Sequence, residues 1–142
     1  MKLNLSQFLV ILAVAMVLGS PAYAQSVTLR VQVPFEFMLG DKVYPAGEYT
    51  IQSLDSYSNS LFIRNGRVEA SAVTLSYPTT SLEPAKKSEL VFHRVGNTYF
   101  LSELWCADSR IGRDFPRSRM ESKIAMMQTK ATTVIVAANI IH

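Results

Sequence analysis

Apolar side chains along this chain recur with two different periods. Val27 to Val33 reads V-T-L-R-V-Q-V, a period of two that places Val27, Leu29, Val31 and Val33 on one face of a strand. Phe35, Phe37 and Leu39 continue the apolar row beyond Pro34, which marks an edge or a bend because proline cannot donate to a ladder. Alternating or β-branched runs then cover Tyr49 to Leu54, Leu61 to Arg64, Arg67 to Leu75, Leu90 to Val95 and Thr98 to Trp105. Turn residues separate them: Gly40-Asp41, Pro45-Ala46-Gly47, Asn65-Gly66 and Gly96-Asn97. Asn65-Gly66 predicts a type I′ hairpin, whose two central residues both need positive φ. Tyr77 to Lys87, with two prolines and a run of Ser and Thr, reads as a loop.

The period changes near the C-terminus. Met120, Ile124, Met127 and Ala131 are spaced by 4, 3 and 4, an apolar stripe at helical pitch. Pro116 suits the first helical position, with Asp114 nearby to cap it. This helix is expected to pack on the sheet. Val134 to Ile141 is nearly continuous apolar sequence and reads as a last strand buried on both faces, or a tail closing a barrel. The pattern therefore predicts a mainly all-β fold, an antiparallel barrel or sandwich of about six to eight strands with one helix near the C-terminus. Neighbouring strands are expected to be sequential. The Leu61 to Arg64 run is too short for an outer-membrane barrel strand, which needs about ten residues.

One segment fits neither period. Lys2 precedes an unbroken apolar stretch from Phe8 to Leu18, followed by Gly19, Ser20 and Pro21 and then Ala22-Tyr23-Ala24. That is the layout of an export signal cleaved after Ala24; a membrane anchor needs about 20 apolar residues. Residues 1–24 are thus read as a signal peptide and 25–142 as a single exported domain, in the periplasm or outside the cell. No transmembrane segment is expected after cleavage. Of the 142 residues, 49% are hydrophobic and 18% charged, which excludes collagenous and disordered classes.

Charge and cysteine narrow the chemistry. The net charge of +3 is too small for a nucleic-acid binder, so none is expected as a partner. Arg110, Arg113, Arg117 and Arg119 form a local excess, diluted by Asp108 and Asp114. They read either as a solvated loop or as a site for an anionic polysaccharide or lipid headgroup. Cys106 is the one cysteine, so no disulfide forms within the chain. It reads as a half-buried small hydrophobe, with a bridge between chains or a nucleophile served by His93 or His142 as the alternatives. No phosphate loop, paired-cysteine metal site or nucleophile elbow occurs, so no cofactor, metal or catalytic residue is assigned.

The hairpin from Leu90 to Trp105 concentrates unusual side chains. A turn at Gly96-Asn97 pairs Val95 with Thr98, Arg94 with Tyr99, His93 with Phe100 and Phe92 with Leu101. An unbroken ladder then carries Arg94, Tyr99, Glu103 and Trp105 on one face, the composition of a sugar- or peptide-binding strip. An internal ion pair with Trp105 as filler is the plainer account. His93 reads as a satisfied core histidine, because no second metal ligand is nearby.

Val33-Pro34-Phe35-Glu36-Phe37, Pro45-Ala46-Gly47-Glu48-Tyr49-Thr50, Leu90-Val91-Phe92-His93-Arg94 and the run from Tyr99 to Trp105 together resemble a group of small exported β-rich proteins from environmental bacteria with no assigned activity. The resemblance implies a secreted β-domain and carries no catalytic residue. The expectation is a non-enzymatic envelope or extracellular domain that binds a ligand or protein partner. A structural or adhesive component without a pocket, and a small hydrolase using carboxylates or His93, are the alternatives.

Overall fold

The computed structural model describes residues 27–54, 59–67, 71–127 and 130–141. The expected leader and its cleavage point lie outside them. The described residues form eleven strands and one helix. These are β1 (Thr28–Val33), β2 (Phe37–Leu39), β3 (Lys42–Tyr44), β4 (Gly47–Ser53), β5 (Ser60–Asn65), β6 (Ser71–Leu75), β7 (Tyr77–Thr80), β8 (Glu89–Val95), β9 (Thr98–Trp105), β10 (Ile111–Asp114), α1 (Arg119–Met127) and β11 (Ala131–Ile141).

The strands join in one curled sheet, a half-barrel, in the order β3-β2-β9-β8-β11-β1-β4-β5-β6. The second half of β9 also pairs with β10, which pairs with β7. All of these pairings are antiparallel except β2 with β9, where Met38 lies opposite Phe100. Buried Ser76 forms the corner between β6 and β7, its N–H (2.7 Å) and Oγ (3.0 Å) both donating to the carbonyl of Asn59. The chain thereby passes from the wall built on β5 to the wall built on β10.

The alternation seen in the sequence builds the core. Leu29, Val31 and Val33 all point inward from β1, joined by Tyr49 and Ile51, Leu61 and Ile63, Leu90 and Phe92, and Leu101 and Leu104. Aromatic rings fill the interior where β2, β3, β4 and β8 meet: Phe37 packs edge-on against Tyr49 (5.2 Å) and Phe92 (5.4 Å) and stacks on Tyr44 (5.6 Å). A smaller cluster, Met38, Val95 and Phe100, lies apart from this core, with Ile124 of α1 packed against it.

Several expectations are corrected. Among the described residues the strands number eleven, not six to eight, and the sheet is mixed because β2 runs parallel to β9. The Gly40-Asp41 turn is found as expected, but it leads into β3, a strand absent from the expected runs, which pairs back on β2 and like it is three residues long. Tyr77–Thr80 is a strand, not loop; Pro78 is tolerated because β7 lies at the rim, bonded to β10. Asn65-Gly66 does not make a type I′ turn. Asn65 remains in β5 opposite Tyr49, its Oδ1 accepts the Arg67 N–H (2.9 Å), and Arg64 of β5 pairs with Ser71 of β6. The helix starts at Arg119 behind a Ser118 cap, not at Pro116 behind Asp114. Its apolar stripe is buried only at Ile124, which packs against Met38, Val95 and Phe100; Met120 and Met127 are exposed, and Ala131 belongs to β11. β11 is not buried on both faces. Val134, Val136 and Ala138 face the core, while Ile135 is 58% exposed. Nor are all neighbours sequential, since β11 inserts between β8 and β1.

Candidate functional site

The hairpin of β8 and β9 follows the expected register from Val95–Thr98 to Phe92–Leu101. Gly96 takes φ +63° at the first central position of the turn, as a type II′ hairpin requires. A β-bulge then intervenes. Val91 lies opposite Glu103, so Ser102 is an extra residue, and Leu90 faces Leu104. The bulge turns Leu104 into the core and sends Glu103 and Trp105 to the other side of the sheet. The four residues of the expected strip therefore divide into two pairs on opposite faces.

Each pair is internally engaged. Tyr99 stacks on Phe35 at 3.8 Å and 14°, and the Arg94 guanidinium lies 5.5 Å from its ring centroid. Arg94 Nε also donates to the Gly96 carbonyl (3.0 Å). On the other face, Trp105 Nε1 donates to Glu103 Oε2 at 2.7 Å. His93 is satisfied in a way the sequence does not reveal. Its Nδ1 lies 3.1 Å from Oε1 of Glu121 on α1, and Arg117 Nε approaches the same oxygen at 3.9 Å. Of the four arginines, Arg110, Arg117 and Arg119 are exposed at separate points, and Arg113 is half-buried in β10.

Arg113 leads to a cleft outside the expected strip. Where the sheet curls, Leu29, Ile51 and Leu61 on one wall face Leu104, Cys106 and Ile111 on the other across a half-open cleft of about 150 Å³. Val27, Gln52 and Ser53 complete the rim, and Arg113 is the charged residue of the described lining. Asn59 Oδ1 accepts a hydrogen bond from Arg113 Nη1 (3.3 Å). Burial pushes the Cys106 thiol above its ordinary pKa, and the positive charge of Arg113 partly offsets this. The apolar alternation of β1 and β4 placed those walls. What the sequence did not signal is that β10, read there as an arginine-rich loop, supplies the facing wall.

A second hollow of about 280 Å³ lies beside the hairpin turn, among Phe35, Glu36, Met38, Asn97 and Tyr99. Among the described residues no three His, Cys, Asp or Glu side chains gather at one point, and no helix is long and apolar enough to cross a membrane. In comparisons with known proteins, no family model, curated protein or solved structure matches the chain.

Proposed function

We propose that this chain is an exported, non-enzymatic β-domain of the cell envelope that binds a small apolar ligand in the cleft between the β1–β4–β5 wall and the β9–β10 wall. The observation that carries this reading is a concave apolar lining with few polar groups converging on it. Its volume matches a cavity that takes a benzene-sized molecule, about 150 Å³. The export signal read at residues 1–24 supports the location, and the resemblance of the strand motifs to small exported proteins agrees with it. The test is methyl NMR of the purified protein titrated with benzene and with hexanol. Shifts concentrated on Leu29, Ile51, Leu61 and Ile111 are expected. Methyl signals that stay unchanged with both probes overturn the reading.

The competing reading, a structural or adhesive envelope component, draws on the packed aromatic interior around Phe37, Tyr44, Tyr49 and Phe92. It predicts a stable fold whose cleft methyls ignore both probes.

A further inference from the structure

We propose that the ligand of this cleft is a small monoanion with an apolar body, its acid group held by Arg113. The inference rests on the ligand-binding reading above and assigns its chemical class. Four aliphatic side chains, Leu29, Ile51, Leu61 and Leu104, form the depth of the cleft and are all buried. Nothing in that wall solvates a charge, so the charged end of a ligand must stay at the rim. There the described lining offers one charged group, a cation.

Arg113 suits an acid for three reasons. It is half-buried, where its field is weakened less by water than on an open surface. Its planar guanidinium carries five donors in a fixed fork that matches a carboxylate, and Asn59 Oδ1 engages one of them. The thiol beside it brings no competing negative charge, because burial keeps Cys106 protonated. Size sets the other limit. About 150 Å³ inside the cleft takes an aromatic ring or a short alkyl chain.

Cys106 supplies the readout, since it lines the same cleft. Its alkylation by iodoacetamide is followed in the presence of benzoate and hexanoate, and of benzyl alcohol and hexanol as uncharged counterparts. The acids are expected to protect the thiol at concentrations at least about tenfold lower than the alcohols, the scale of one charge-assisted hydrogen bond. Arg113→Gln should bring acids to the level of alcohols, and Arg113→Lys should restore part of the difference. Equal protection by acids and alcohols in the wild type overturns the acid assignment and leaves the apolar cleft standing. Absence of protection by all four overturns both. If Arg113→Gln does not fold, the wild type decides alone. Protection by the acids must then weaken as sodium chloride is raised while protection by the alcohols holds, and salt-independent acid protection overturns the assignment.

Discussion

A methyl group at Gly112 would lie 2.6 Å from Cε3 of Trp105 and 2.8 Å from Cζ3. Those contacts are too close to exist without movement, so only glycine lets the indole lie flat over β10. Gly112→Ala should therefore displace Trp105 and strain its bond to Glu103, at a cost of about 1–3 kcal/mol for overpacking. Trp105 is the one tryptophan of the chain, so its emission reports the displacement directly. A urea melt and emission spectrum identical to wild type would refute this packing. The same hairpin separates core from surface by a different contrast. Phe92 is 0% exposed and meets Phe35 and Phe37 edge-on, so Phe92→Ala should cost roughly 3–5 kcal/mol. Arg94 is exposed over Tyr99, and Arg94→Ala should cost under about 1 kcal/mol. Equal losses in the two variants would contradict the assigned faces. The pairing of Phe92 with Leu101 could be read from the sequence, because a two-residue turn at Gly96-Asn97 fixes its register. The positions of Glu103 and Trp105 could not. Their face depends on a bulge at Ser102, and serine in an apolar strand carries no signal of one.

At the scale of elements, α1 shows an apolar period that misleads and a polar signature that serves better. Ser118-Arg119-Met120-Glu121 has the S-x-x-E spacing of a helix start, and Ser118 Oγ accepts the Glu121 N–H at 3.0 Å. Glu121 does not return to the cap; it reaches His93 on β8. The helix thus docks through Glu121 and Ile124, and its methionines face water. Ser118→Ala should cost about 1 kcal/mol through the lost cap. Glu121→Ala should cost about 1–3 kcal/mol, since it leaves His93 without this partner. Met127→Gln, at a position 73% exposed, should stay within about 0.5 kcal/mol of wild type. Denaturant melts of the three variants check the order. A Met127→Gln loss as large as that of Glu121→Ala would mean that the helix also packs through its methionines. Two methionines and an isoleucine at helical spacing look like a docking face in any sequence. A nine-residue helix held by a buried carboxylate does not, because its partner lies 28 residues away in another element.

The whole molecule depends on choices of strand partner that local pattern does not encode. The strands themselves were legible from alternation in β1, β4, β8 and β9. The insertion of β11 between β1 and β8, and the parallel approach of β2 to β9, were not, because each joins segments distant in sequence. What closes the curl on its interior is an aromatic seam in which Tyr44 of β3 and Tyr49 of β4 both contact Phe37. The Tyr49 hydroxyl donates to the Pro45 carbonyl (2.6 Å), tying the turn before β4. Burial raises both phenols above their ordinary value of 10.0; for Tyr49 the Asn65 side chain opposes the rise and Tyr44 adds to it. The sign of the pH effect follows. Below pH 10.0 both folded and unfolded chains hold these protons, and the full stability is present. Above it the unfolded chain releases them while the folded chain keeps them, so stability falls as pH rises toward the folded values. Cys106, raised from 9.0 by burial, adds a decline of the same sign beginning about one pH unit lower. Melting temperature measured against pH should therefore be flat through neutrality and drop in alkali. Cys106→Ser should remove the earlier part of the drop and Tyr44→Phe part of the later one. Tyr44→Phe is the cleaner probe of the seam, because Tyr49→Phe would also break the bond to Pro45. A Tyr44→Phe curve that runs parallel to wild type above pH 10 would show that this phenol is not held protonated by the fold.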